Sequence, residues 1–227
     1  MVGSGVGFRI LPEDVTQLPH FNTNIVIAHK PYHGKVKDER IEHTLVYEDK
    51  DEKTSILIVV GDSKNGWVEA LQTYLNAMTR TDVESIVINY DNVRPHGEPL
   101  KTFGGRASGH QALKNMFRSI HKVITRSTGT LEPIDVMDIQ NHIALNVVVG
   151  GVRRSSQLCL FDIQDTKTLD AKIGLWDPTS NTFGNDQRTM SNNSIFFNTK
   201  PTKEMLFDIF ARIQNNGEPK QNWAYLQ

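Results

Sequence analysis

Glycines, cations and small hydroxyl side chains crowd two short runs of this chain: residues 94–109, RPHGEPLKTFGGRASG, and residues 150–156, GGVRRSS. Glycine lets backbone approach a ligand closely and take up φ > 0. Arginine presents a planar fork of donors to phosphate, and lysine a point charge. Two such loops beside strongly apolar segments point to a site that grips an anionic ligand, a nucleotide phosphate tail above all. Neither is a common phosphate loop. GxxxxGK[ST] is absent, and Gly3-Ser4-Gly5-Val6-Gly7 does not supply GxGxxG. A third run, Gly61-Asp62-Ser63-Lys64-Asn65-Gly66-Trp67, joins a β-branched stretch to an amphipathic one. Asp62 or Ser63 is there to cap a helix, or to meet a ligand together with the first amide groups of that helix.

The elements that must hold these runs follow from periodicity. Residues 55–60 (SILIVV) and 85–90 (SIVINY) are predicted strands, the second leading straight into the first glycine loop. Between them Trp67, Leu71, Leu75 and Met78 recur on one helical face. Leu113, Met116, Phe117, Ile120, Val123 and Ile124 mark a second amphipathic helix. A third opens at Pro133, runs through Ile134, Met137, Asn141 and Leu145, and ends where Gly150-Gly151 begins the second loop. Residues 157–162 and 194–197 read as strands, and Pro201 opens a last helix through Met205, Leu206, Ile209, Phe210 and Ile213 that stops before Gly217. Residues 30–53 are polar and charge-dense, an exposed loop or hairpin. Strands alternating with helices predict an α/β fold with parallel pairing and about five or six strands.

The bulk numbers narrow the classes. The 227 residues suffice for one domain, or one and a half, with a real core. A hydrophobic content of 38% and a formal charge of −1 describe a soluble globular protein and argue against nucleic acid as partner, which usually needs a basic face. The single Cys159 excludes an internal disulfide or a cysteine metal cluster and makes a reducing cytoplasm the natural setting. No apolar run approaches the roughly 18 residues of a membrane span, and MVGSGVGFRI lacks the features of a signal peptide. The 8 histidines show neither HExxH nor paired Cys/His spacing, so no metal is expected.

The wording of the loops goes further. RPHGEPLKTFGGRASG, VVVGGVRRSSQLCLFD, Met190-Ser191-Asn192-Asn193-Ser194-Ile195 and Asn216-Gly217-Glu218-Pro219 follow in this order, with GSGVGF near the start and GDSKNGW before the first loop. Together they resemble the central part of adenosylcobalamin-dependent (class II) ribonucleotide reductases of the monomeric, triphosphate-reducing type, from Val2 to Pro219. The resemblance implies part of a ten-stranded α/β barrel made of two antiparallel halves. Residues 1–10 would be a barrel segment, 11–91 an inserted effector-binding segment that imitates a partner subunit, 92–219 barrel core with two specificity loops, and 220–227 a tail outside the family pattern.

It also implies an enzyme that converts ribonucleoside triphosphates to 2'-deoxyribonucleoside triphosphates by radical chemistry. Adenosylcobalamin would be the cofactor, a thioredoxin-type protein the reductant, and a deoxynucleoside triphosphate the allosteric effector that selects the base. Asp62 matches the aspartate near the effector's deoxyribose hydroxyl, with Ser63 beside it. Trp67 offers a face for a base, or else core packing. Arg94, Lys101, Arg106 and Ser108 line the loop expected to contact the effector, although Arg106 stands where the family often has threonine. Gly150, Gly151, Arg153, Arg154 and Ser155 form the substrate-specificity loop, Arg153 matching an arginine that helps hold substrate. A Gly-Gly hinge lets such a loop re-pose, coupling the two sites by about 1–3 kcal/mol.

Catalytic residues are not expected in this chain. Cys159 lies in Leu158-Cys159-Leu160-Phe161, where a free cysteine behaves as a small hydrophobe. The radical cysteine of the family belongs to an NPCGE-type motif downstream of NGEP, its redox cysteines lie to either side, and none of these occurs here. The chain therefore reads as a piece of a reductase whose gene is split by an insertion, as in phage-borne genes, working with segments supplied in trans or by splicing. The alternatives are a stand-alone nucleotide-binding or regulatory module without catalysis, or a remnant without function.

Overall fold

The computed structural model describes residues 5–50, 54–100, 105–149, 153–154, 157–177, 179, 182–216 and 224–225. In chain order the elements are β1 (Val6–Arg9), α1 (Pro12–Val15), β2 (Val26–His29), β3 (Leu45–Asp49), β4 (Thr54–Val59), α2 (Lys64–Ala77), β5 (Val83–Asn89), α3 (Gln111–Arg126), α4 (Pro133–Asn146), β6 (Val148–Val149), β7 (Arg153–Arg154), β8 (Gln157–Asp162), α5 (Thr166–Leu169), β9 (Trp176–Asp177), β10 (Thr182–Phe183), β11 (Ser191–Phe197), α6 (Lys203–Asn216) and β12 (Ala224–Tyr225). They form two compact units, the first built on Pro19–Thr130 with Val148–Arg153, the second on Val2–Leu18, Leu131–Val147 and Arg154–Gln227.

In the first unit β4 and β5 carry the β-branched runs, and their side chains alternate between buried and partly buried positions, in β5 from Ser85 onward after exposed Glu84. The sheet order is β2-β5-β4-β3. The strands β2, β5 and β4 run parallel, because α2 supplies the crossover that a parallel pair requires. The edge strand β3 turns back antiparallel on β4, with Leu45 opposite Val59 and Asp49 opposite Ser55. All five of its side chains are exposed, so this part of the polar excursion is a hairpin arm. The helix α3 buries Leu113, Met116, Phe117, Ile120, Val123 and Ile124, the three-and-four spacing of one helical face. Phe117 meets Tyr74 of α2 edge to face, with ring centres 5.3 Å apart. Each fully buried Leu, Ile or Phe contributes about 1.5–3 kcal/mol.

In the second unit β1, β8, β11 and β12 form one parallel sheet in that order. Ile10, Met137, Cys159, Phe161, Ile195, Phe197 and Ile209 pack as its core. Mixed α/β structure with largely parallel pairing is thus observed. The expected strand at 194–197 begins earlier, at Ser191, because its first residues are buried polar groups invisible to apolar periodicity. The Ser191 hydroxyl donates to Asn193 Oδ1 at 3.0 Å, and the Asn193 amide reaches Met137 Sδ at 3.5 Å. Beneath them Asp138, fully buried, receives Arg188 through Nε at 2.8 Å and Nη2 at 2.9 Å. Among the described residues no helix is long and apolar enough to cross a membrane.

Cys159 is fully buried among Ile10, Phe161 and Ile195, and burial pushes its thiol up to about 12. It should therefore resist thiol reagents in the native protein and react only on unfolding. Cys159→Ser, which buries a hydroxyl in that core, should lower stability by about 1–3 kcal/mol in urea titrations.

Candidate functional site

The site begins where two backbones come too close for a side chain. A Cβ on Gly61 would lie 2.2 Å from Glu42 O, and one on Gly66 would lie 2.5 Å from the same oxygen. Residues 41–44 consequently lie directly against the head of α2. Asp62 N donates to Ile41 O at 2.7 Å, and the Ser63 hydroxyl donates to Glu42 O at 2.7 Å. Thr44 Oγ1 donates to Gly66 O at 2.6 Å and accepts from Gly61 N at 3.1 Å. Ser63 Oγ also accepts from Gly66 N at 2.9 Å, so Ser63 is the N-cap.

The carboxylate of Asp62 is thereby left for other work. Its Oδ1 accepts from Arg94 N at 3.1 Å and Arg94 Nε at 3.0 Å, while Arg94 Nη2 reaches Asp62 O at 3.3 Å. Its Oδ2 lies 3.5 Å from Arg40 Nη1. Arg40 in turn grips Glu98, with Nη1 on Oε1 and Nη2 on Oε2, both at 2.9 Å. The side chains of Asp62 and Arg40 are only 12% and 7% exposed, so water screens this pair weakly. Arg40 holds the Glu98 carboxyl below its usual range, and Glu98 raises Arg40 in return.

The first glycine loop is a small hairpin. Gly97 N donates to Ala107 O at 2.9 Å, Ala107 N to Glu98 O at 2.8 Å, and Leu100 N to Gly105 O at 3.0 Å. Gly97, where the chain enters the hairpin, sits at φ +87°, and Gly105, on the returning arm, at φ +84°. Its two feet are held by the excursion that precedes β3. The Tyr32 hydroxyl donates to Val93 O at 2.9 Å, and the Tyr32 ring stacks on His110 at 3.9 Å between centres. Lys35 N donates to Asp91 O at 2.7 Å, and Arg40 Nε to Lys35 O at 3.0 Å.

The structure thus brings Asp62, Ser63 and Arg94 together. Arg106 is exposed and donates to Gly97 O at 2.9 Å, Ser108 is half-buried in the same loop, and Trp67 sits half-buried in the first turn of α2. Lys101, Gly150, Gly151 and Ser155 lie outside the described residues, and Arg153 and Arg154 form β7, which pairs with β6. Sequence reasoning missed Arg40, Glu98, Tyr32 and the role of His110. The one signal was that Glu98 stands inside the loop and Arg40 inside the charge-rich excursion.

Behind the loop, His29 Nδ1 lies 2.8 Å from the Tyr90 hydroxyl. Burial above all, then Arg118 and Lys114, pushes His29 down to about 4. An unfolded chain would bind a proton there near pH 6.5, so the unfolded state carries more protons between about pH 4 and 6.5. The stability that neutral His29 lends is present above pH 6.5 and lost as pH falls toward 4. Urea midpoints should drop over that window, and His29→Gln should flatten the drop.

Known proteins resemble this chain over most of its length. Residues 22–124 match the family described as B12-dependent ribonucleotide reductase, insertion domain. The adenosylcobalamin-dependent ribonucleoside-triphosphate reductase of Lactobacillus acidophilus is 31% identical over 96% of this chain and 30% of its own length. Its counterpart in Euglena gracilis is 33% identical over 76% of this chain and 23% of its own length. A crystal structure of a B12-dependent (class II) ribonucleotide reductase superposes with a TM-score of 0.72 at 27% identity, covering 95% of this chain and 29% of that one. The chain spans about 30% of the length of the curated relatives that it matches over 96% of its own. By sequence and by fold, the chain is similar to part of the B12-dependent (class II) ribonucleotide reductases, and residues 22–124 match the family described as their insertion domain.

Proposed function

We propose that this chain contributes the specificity-effector part of a ribonucleotide reductase, an enzyme that turns ribonucleoside triphosphates into 2'-deoxyribonucleoside triphosphates by radical chemistry. One observation carries the reading. Asp62 of GDSKNGW and Arg94 of RPHGEP, 32 positions apart, meet through a backbone and a side-chain hydrogen bond at the head of a helix. A carboxylate accepts from a sugar hydroxyl, guanidiniums meet phosphate, and a glycine hairpin lets a base approach the backbone. These are the three demands that a deoxynucleoside triphosphate makes. The parallel sheet β1-β8-β11-β12 supports membership of a ten-stranded barrel completed by the rest of the reductase.

The relatives are named for adenosylcobalamin. The described residues offer that group no thiol ligand. Here the one thiol is sealed in a core, and the imidazoles of His29, His110 and His121 are engaged with Tyr90, Tyr32 and Tyr74. We place cobalamin, the thioredoxin-type reductant and the radical cysteine in other parts of the assembled reductase.

A deoxynucleoside triphosphate should bind the purified chain at the Asp62–Arg94 cluster and raise its melting temperature. At a hundredfold excess over Kd the stabilisation is about 2.7 kcal/mol, and it should shrink in high salt. Asp62→Ala should reduce discrimination between nucleotides with and without the 3' hydroxyl. Calorimetry that finds no deoxynucleotide affinity at millimolar concentration overturns the reading. With adenosylcobalamin and a dithiol the chain alone should form no deoxynucleotide from CTP or ATP. In a reconstituted reductase Arg153→Ala should keep effector binding but lose its coupling to substrate.

A further inference from the structure

Arg40 is the most enclosed charge of the Asp62 cluster, with a side chain 7% exposed against 25% for Glu98. Both terminal nitrogens of its guanidinium are engaged by the two oxygens of Glu98, at 2.9 Å each. That parallel pair of bonds is the geometry an arginine offers equally to a phosphate. Glu98 is the more exposed member of the pair. Its backbone does not depend on the pair, because Ala107 N donates to Glu98 O and Glu98 N to Pro95 O within the hairpin. Rotation about the side-chain bonds of Glu98 therefore uncovers Arg40 while the loop keeps its path.

The charges favour such an exchange. Arg40 and Arg94 face Asp62 and Glu98, an even balance, and Lys37 adds a further positive charge near Glu98. A carboxylate brings one negative charge to the fork. A polyphosphate brings more, and it leaves Glu98 free to return to water.

We propose that Arg40 is a phosphate contact of the nucleotide site and that Glu98 is its internal stand-in, occupying the guanidinium until a polyphosphate displaces it. This rests on the reading of the Asp62–Arg94 cluster as a nucleotide site. It adds a binding residue outside the glycine loops and a built-in competitor that sets a threshold of charge for entry. Anions with a single negative charge match Glu98 and do not displace it; a triphosphate does.

The test compares the 227-residue chain with its Glu98→Gln variant. Isothermal titration uses each of the four common deoxynucleoside triphosphates and inorganic tripolyphosphate, and thermal melts confirm that both proteins are folded. Glu98→Gln keeps the shape and removes the competing charge, so triphosphate binding should tighten by about fivefold, the scale of one partly exposed ion pair. Arg40→Lys, which keeps the charge but loses the fork, should weaken tripolyphosphate binding. Unchanged or weaker binding by Glu98→Gln, with a parent chain that binds, overturns the stand-in role and leaves the nucleotide site intact. Failure of both proteins to bind any of these probes overturns the nucleotide site and the stand-in together. Binding by the variant where the parent shows none supports the proposal most directly.

Discussion

The architecture of the candidate site depends on a steric constraint at two glycines. Gly61 and Gly66 let the carbonyl of Glu42 come within a distance that any Cβ would forbid. The polar excursion is thereby pressed onto the head of α2 and stitched there by Ser63 and Thr44. Arg40 lies just before this contact, so the same approach carries its guanidinium to Asp62. A side chain at either glycine would push the excursion away and separate Arg40 from both carboxylates.

Electrostatics then works on a prepared frame. Withdrawing a guanidinium and a carboxylate from water is costly, and such a pair holds only when its remaining donors and acceptors are satisfied. Asp62 meets this condition with a backbone N–H and two arginines. The second unit offers a contrast in Asp138 and Arg188, where two parallel bonds and a third from Arg188 Nη1 to Ala171 O complete the set. Gln187 Nε2 adds a bond to Asp138 Oδ1 at 3.2 Å, and this buried group reads as structural. The Arg40–Glu98 pair has one member open to water, and this difference separates a fixed brace from an exchangeable contact.

The strands β4, β5 and β8 and the helix α3 were legible in the sequence through their apolar patterns. The helices α2 and α4 were legible as helices, but α2 buries Gly66, Ala70, Tyr74 and Ala77 rather than the face of Trp67, Leu71 and Leu75, and α4 ends at Asn146 instead of running to Gly150. The strand β2 was not legible, since Val26–His29 is short and half exposed, and β3 was not, since all its side chains face water. Glycine and charge content pointed to the loop of Arg94 and to Asp62, and the choice of cap between Asp62 and Ser63 needed the contact with Glu42. Arg40 was illegible for a physical reason. Charge-dense stretches are usually solvated, and its partner Glu98 lies 58 positions away. Only the fold reveals that one cation of that stretch is drawn inward.

The clasp of Tyr32 on Val93 and His110 has a consequence for the thermodynamics of recognition. A glycine-rich loop normally loses much conformational freedom when it closes on a ligand, and that loss subtracts from affinity. Here both feet of the loop are held by one segment, and a cross-strand ladder already orders its sides. That share of the ordering entropy is surrendered during folding, so a ligand arriving at residues 97–100 and 105–107 meets a backbone that is already set.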